Sequence, residues 1–228
     1  MIYSFYLRNK GKELQVVDHD VRLFYSLPGT AKFRVVSSEP ISGSVYFSLS
    51  MNNMTRHGHF YGFIERCVRS TENTYILFCR EMLAVLDRRL PVSLRHVSAK
   101  AVLDKVTDTT EVEFSISNST SFDVSIPYFT HTGSALDIVR SLGNVFGIND
   151  YVCQQKRDGS VFVGSWADGQ WADNEINLPN EVFANALSTD IAEIMAIPGL
   201  RPNFVLNGKR IYALALKGVK MVVTWTKP

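Results

Sequence analysis

Apolar and polar residues alternate over much of the first ninety positions, which is typical of β-strands with one buried face. One such run covers 44–50, and it is rich in aromatic and β-branched residues. Two further runs, 59–68 and 75–79, flank the polar stretch 69–74 and predict a β-hairpin. The pattern therefore predicts an antiparallel β domain, which we place at residues 1–90.

Apolar positions change to helical spacing beyond the first domain. Ser98 is a candidate N-cap for a first short helix, because its hydroxyl can accept a hydrogen bond from the first helical turn. A second helix is predicted to begin at Thr132 or Ser134 and to end at Gly147, a residue that suits a helix C-terminus. Both helices are short.

A hairpin follows the second helix. The strand-like runs 151–157 and 160–164 are joined by Asp158 and Gly159, a pair that favours a two-residue turn. Together with the helices, this hairpin predicts a small α/β domain over residues 91–168.

The C-terminal region returns to β patterning. Residues 180–197 fit either a helix or an extended segment, and periodicity does not decide between them. The runs 209–216 and 219–225 predict a final hairpin. We place a second β domain at 169–228.

The hairpin of Gly58–Arg80 and the hairpin of Gly208–Thr226 share a layout of glycine, a basic or His residue, an aromatic-rich strand, a polar turn and a second strand. This similarity predicts two related β modules around an insert. The predicted fold class is α+β and mainly β: two tube-like antiparallel modules of the barrel or sandwich type with an inserted small α/β domain.

Composition is that of an ordered globular chain. Of the 228 residues, 46% are hydrophobic and 20% are charged, and the net charge of +2 is spread along the chain without a basic run. We find neither a signal-type N-terminus nor an apolar stretch of membrane-spanning length in the sequence. We therefore expect a protein that is made in the cytoplasm and does not itself insert into a membrane.

Histidine provides the best candidate for metal binding. His57 and His59 stand two positions apart in a predicted strand, so both imidazoles would lie on one face. A third ligand is not evident in the sequence. We treat the two residues as weak candidates and expect no metal and no cofactor.

Three cysteines, Cys67, Cys79 and Cys153, form an odd set without metal-ligand spacing. Cys67 lies eight residues after His59 in the same predicted strand, too far for the imidazole to activate the thiol. We expect all three to be core residues, with a disulfide between Cys67 and Cys79 as the less favoured alternative.

Carboxylates near two indoles leave a second function open. Trp166 and Trp171 could stack on sugar rings, and Asp168, Asp173 and Glu175 have the chemistry of glycosidase acids and bases. The competing interpretation is a solvated loop anchored by its indoles, which we favour. We predict no catalytic residues and no enzymatic activity.

Several blocks of the chain resemble, in order, the phage tail and baseplate hub proteins of the late-control tail family, which are similar to the hub part of the type VI secretion spike. The blocks are 62–65 leading through 75–78 into 83–90, then 98–106, 125–127 and 132–142 with the hairpin behind them, then 197–202, 207–208 and the final hairpin. They cover about two thirds of the chain, and the block from Thr132 to Gly164 is the most persuasive.

The resemblance implies a structural virion component in the tail tip or baseplate. It implies a homotrimer whose subunits each contribute two modules, so that a quasi-sixfold face meets the hexameric tail tube and a threefold face meets the spike or tip. A tail tube or distal tail protein would bind one face and a spike or tip protein the other, and DNA would pass through the lumen without specific binding. The alternative is a tail-associated glycan-binding or glycan-degrading module that uses residues 166–175. We also expect the C-terminal extension of some hub relatives to be absent.

Overall fold

A computed structural model describes residues 1–52, 54–117, 120–172, 175–183 and 186–226. The chain divides into two compact units. Unit 1 consists of Met1–Glu81 and Asn174–Pro228, and unit 2 consists of Met82–Asp173. The sequence predicts domain boundaries at 90/91 and 168/169, with the two terminal segments as separate domains. In the structure, both terminal segments contribute to one compact unit.

The N-terminal part of unit 1 contains seven strands: Tyr3–Asn9 (β1), Lys12–Leu14 (β2), Val16–Phe24 (β3), Leu27–Val36 (β4), Ser44–Met51 (β5), His57–Thr71 (β6) and Thr74–Glu81 (β7).

Unit 2 begins with a 3-10 helix at Met82–Asp87. It also contains Val92–Ser98 (β8), Ala99–Thr110 (α1), Phe114–Ile116 (β9), Ser125–His131 (β10), Ala135–Val145 (α2), Tyr151–Gln155 (β11) and Val161–Ser165 (β12).

The C-terminal part of unit 1 contains Glu175–Ile176 (β13), Ala186–Ser188 (β14), Ile191–Met195 (β15), Val205–Leu206 (β16), Lys209–Arg210 (β17), Ala213–Lys217 (β18) and Lys220–Thr224 (β19). The segment that periodicity left undecided is therefore extended over Ile191–Met195, with a 3-10 helix at Asn180–Phe183.

One eleven-stranded sheet dominates unit 1, and its strand order is β14-β15-β19-β18-β3-β4-β7-β6-β5-β1-β2. All of its pairings are antiparallel. The two ends of the chain meet where β18 pairs with β3, which aligns Leu216 with Val21 and Leu214 with Leu23. All four of these side chains are buried in one core that residues from both terminal segments share. The prediction of a mainly β, α+β protein is confirmed, although in the described residues the strands form no closed barrel.

The sheet contains the same four-strand arrangement twice. In β3-β4-β7-β6 the strands follow the spatial order first, second, fourth, third, and β14-β15-β19-β18 follows the same order. Each quartet consists of two hairpins, and extra strands separate the hairpins along the chain: β5 in the first quartet, and β16 and β17 in the second. The two hairpins whose similarity is visible in the sequence, β6-β7 and β18-β19, occupy the same place in their quartets.

Local signals fix the helices of unit 2. The Ser98 hydroxyl accepts a hydrogen bond from the Ala101 amide at the start of α1. Ser134, and not Thr132, is the N-cap of α2, where it forms a capping box with Asp137. Gly147 follows the helix with a φ of 64°, as the sequence predicts for a helix stop.

The predicted hairpin of unit 2 forms between β11 and β12, but its turn differs from the prediction. The Lys156 amide donates to the Ser160 carbonyl oxygen, which leaves a loop of three residues. Gly159 adopts a φ of 95° at the last of these positions. Asp158 and Gly159 therefore lie in a three-residue loop that ends in a left-handed glycine, the next most common hairpin type.

Candidate functional site

A buried ion pair joins the two terminal segments inside unit 1. The Arg201 guanidinium donates to a carboxylate oxygen of Glu81 at 2.7 Å, and both side chains are almost fully buried. The other Glu81 oxygen accepts the Gly29 amide at 2.7 Å. Arg201 also donates to the backbone carbonyl oxygen of His59. This network binds the segment after β15 to strands β4, β6 and β7.

The sequence dictates the position of this carboxylate. Tyr75, Leu77, Cys79 and Glu81 alternate along β7, and all four point into the core. A buried carboxylate requires a paired cation and hydrogen-bond donors, because the interior does not solvate its charge. The alternation along β7 is therefore a sequence signal for the burial of Glu81. Arg201 follows an irregular Pro-Gly segment and has no such signal.

Three strand edges of the eleven-stranded sheet lack a strand partner in the described residues: the outer sides of the end strands β14 and β2, and one side of part of β6. β14 is an end strand of the sheet, with a partner on one side only. On β6, pairing with β5 reaches only from His57 to Phe63, and no strand pairs with that side of residues 65–71. The loop before β5 contacts it at one point, where the Ile41 amide donates to the Cys67 sulfur at 3.5 Å. Within the chain, the third strand of one quartet, β18, pairs with the first strand of the other, β3. β6 is the third strand of its quartet and β14 is the first strand of the other quartet. Neither makes this pairing within the chain, and each has an unpaired edge.

The solvent-facing side of the same sheet carries a row of basic residues. Paired positions run across six strands, from β19 through β18, β3, β4 and β7 to β6. The residues of the row are Lys220, Lys217, Asp20, Lys32, Phe78 and Arg66. The four cations are exposed, and they come from both terminal segments.

Ion pairing neutralises only part of this row. Lys220 is bound to Glu193 at 2.6 Å, and Asp20 is bound to Arg22 of the adjacent row at 3.1 Å. The other three cations of the row have no ion-pair partner among the described residues; they are Lys32, Lys217 and Arg66.

A groove of about 460 Å³ opens beside the middle of the row. Lys32 and Phe78 line it from the row, and Arg80 and Glu65 line it from the next positions. The Arg66 guanidinium lies 4.4 Å above the centre of the Phe78 ring, so it covers the one aromatic ring of the row.

The two candidate metal ligands lie at the start of β6. A β-bulge in the β5-β6 pairing falls at His59, which is fully buried, whereas His57 is half-buried. The bulge interrupts the strand alternation on which a shared metal site would depend. The part of the chain that the structure describes contains no cluster of three metal-ligating side chains.

The buried cysteines are poor nucleophiles. Burial raises the pKa of the Cys79 thiol to about 12, with a further contribution from nearby Cys67. Burial likewise raises the pKa of Cys153 to about 12. A thiol with such a pKa stays protonated at neutral pH, so neither residue supplies a thiolate.

The glycan-binding alternative gains no support from the residues on which it depends. Trp171 is buried, packs edge-on against Phe162 and donates its indole N–H to the Trp166 carbonyl oxygen at 3.0 Å. Asp168 is exposed in unit 2, whereas Glu175 belongs to unit 1 and accepts the Gly208 amide. Asp173 lies outside the described residues.

No family model matches this chain. A curated relative, the 58.7 kDa protein in the lys 3′ region of Haemophilus phage HP1, is 30% identical over 219 residues. This match covers 94% of our chain but only 40% of the relative, so the chain spans about two fifths of the relative's length.

Three solved structures share the fold. The 43 kDa tail protein of prophage MuSo2 from Shewanella oneidensis has a TM-score of 0.65 and 10% identity, and the match covers 100% of our chain and 97% of that protein. A tail protein from Neisseria meningitidis MC58 has a TM-score of 0.62 and 11% identity, with 99% and 96% covered.

The third is the c3393 protein of E. coli, a component of the type VI secretion system with structural similarity to the T4 tail proteins gp27 and gp5. Its TM-score is 0.59 at 11% identity, and the match covers 97% of our chain and 76% of that protein. The resemblance to phage tail proteins is thereby confirmed at the level of the fold. None of the helices in the described part of the chain is long and apolar enough to cross a membrane.

Proposed function

We propose that this protein is a non-enzymatic structural subunit of a phage tail, in which three copies form a hub ring between the tail tube and the spike or tip. The fold shared with tail proteins supports a tail component. The observation that carries the hub assignment is the repeated strand quartet, because a trimer of such chains presents six similar units.

The exposed edges suggest how the ring closes. Inside the chain, β18 of one quartet pairs with β3 of the other. Between copies, the exposed part of β6 would pair in the same way with β14 of the next copy. This contact joins two different surfaces, and such head-to-tail contacts generate rings when the rotation closes. Six equivalent quartet junctions would result, three within chains and three between them.

Such a ring can meet partners of different symmetry. The six quartets would match a hexameric tube on one face, while the threefold repeat of whole chains would match a trimeric spike or tip on the other. The partners are then a tail tube or distal tail protein and a spike or tip protein, and the location is the tail tip or baseplate of the virion.

Size-exclusion chromatography with light scattering tests the trimer directly. We expect a species of three times 25.7 kDa, the mass of one chain. Ser70→Pro should abolish it, because a proline ring on an edge strand hinders the pairing of a further strand there. Ser70 is the extra residue of a bulge in the β6-β7 pairing, a position where strands tolerate proline, so the subunit fold should persist.

The matched control is Glu13→Pro on β2, the opposite end strand of the sheet, which should keep the trimer. Circular dichroism of both variants verifies that they are folded. A wild-type protein that stays monomeric at high concentration would count against the hub, and a trimer that survives Ser70→Pro would count against closure through β6.

A further inference from the structure

We propose that the basic row on the solvent-facing side of the unit 1 sheet contacts the phosphate backbone of double-stranded DNA. The phosphate contact follows from the row itself. Only its location, facing the DNA path of a ring, rests on the proposed hub function.

The geometry of the row fits a polyanion. Neighbouring strands lie about 4.8 Å apart, so five steps from Lys220 on β19 to Arg66 on β6 extend about 24 Å across the sheet. Because the row runs across the strands, it would follow the circumference of a ring that closes by strand pairing. Three copies would supply three such rows.

The charges of the row favour nucleic acid over a protein partner. Lys32, Lys217 and Arg66 are exposed and lack ion-pair partners in the described residues. A stable protein interface needs a desolvated apolar centre, whereas the main apolar ring of this row, Phe78, already lies under Arg66. Phosphate binding needs only accessible cations.

The contact is expected to be weak and independent of sequence. Proteins recognise base sequence through a helix or β-ribbon that enters a DNA groove. The row lies on the face of a sheet and would contact only phosphates, so it would not distinguish base sequences. Few cations per chain give a modest affinity that falls with salt, because binding releases counterions from the DNA. A contact of this kind holds DNA loosely without blocking its passage.

Fluorescence anisotropy with a labelled mixed-sequence DNA duplex tests the proposal across a salt titration. The triple variant Lys32→Gln, Lys217→Gln, Arg66→Gln should bind at least about tenfold more weakly at low salt. Its log K against log salt plot should be less steep by about 2 to 3, since each phosphate contact contributes about 0.9 to that slope.

The matched control neutralises three exposed lysines elsewhere, Lys12, Lys100 and Lys105, and changes the net charge equally. It should keep most of the wild-type affinity and slope. Three results would overturn the proposal: no wild-type binding at low salt, an unchanged triple variant, or an equal loss in the control.

Light scattering on the same samples separates this inference from the hub function. A wild-type trimer with no DNA binding would overturn only the basic row. Row-dependent DNA binding by a monomeric protein would support the row and contradict the hub. Loss of the trimer in the triple variant, with DNA binding retained, would identify the row as a subunit contact and overturn the proposal.

Discussion

Arg201 donates a hydrogen bond to Glu81 at 2.7 Å within the core of unit 1, and this pair fastens the segment between β15 and β16 to the end of strand β7. A charge in such a place requires its counter-charge, because desolvation is costly for an unpaired ion. The pair is therefore a buried ion pair that links the two terminal segments, and these segments together form the sheet.

Arg201→Met should destabilise the protein by about 3 to 5 kcal/mol, since the Glu81 carboxylate would remain buried without its cation. The double variant Glu81→Leu, Arg201→Met removes both charges and should lose less stability than the single variant. Urea unfolding of the two variants measures this difference. Equal losses would show that the pair contributes through packing and not through charge.

Gly29→Ala should destabilise unit 1 by about 1 to 3 kcal/mol through overpacking. A Cβ at this position would lie 2.8 Å from a Glu81 oxygen and 2.9 Å from the Arg22 carbonyl oxygen, and the backbone oxygen cannot easily give way. Thermal unfolding compares this variant with Thr30→Ala, its exposed neighbour on β4, which should change little. Similar melting temperatures for the two variants would contradict the close packing around Glu81.

Stability should fall as the pH drops below about 6.5, because burial against Phe5 and Phe47 lowers the pKa of His19 from that ordinary value. The Gly218 carbonyl oxygen and the carboxylates of Asp18 and Asp20 oppose this shift only in part. The unfolded chain therefore takes up the proton first as the pH falls, so the contribution is complete above pH 6.5 and is lost below it.

Urea midpoints measured on either side of pH 6.5 check this prediction. His19→Gln should flatten the profile in that window, and His96→Gln, at an exposed site, should leave it unchanged. A profile that stays equally steep without His19 would assign the pH dependence to other groups.

Features encoded over a few neighbouring residues were predicted well from the sequence. Ser98 caps α1, and Gly147 stops α2, because capping depends on side chains and dihedral angles within one helical turn. The hairpin of β6 and β7 was predicted for the same reason: its partners are adjacent along the chain. The loop at Asp158 shows the limit, since the same dipeptide suits more than one turn.

Long-range pairing could not be predicted in this way. Nothing local specifies that β18 pairs with β3, or that Lys217, Asp20 and Lys32 meet in one row. Alternation tells which face a residue occupies, but the strand order decides which residues become neighbours. For that reason the basic row could not be predicted from the sequence, in which the charged residues are evenly distributed.

The repeated strand order gives the predicted hairpin similarity a structural counterpart. The two quartets agree in topology, while the loops between their hairpins differ: β5 in the first and β16 with β17 in the second. Duplication of one ancestral module stays a prediction, and it is the part of the account on which six similar units in a trimer depend.

Electron microscopy of the purified protein in negative stain tests the trimeric ring most directly. We expect particles with threefold symmetry and a central hole, whose outline shows six similar lobes from two quartets in each of three chains. Single chains of 25.7 kDa at every concentration, or closed twofold dimers, would contradict the central claim that this protein forms a hub ring.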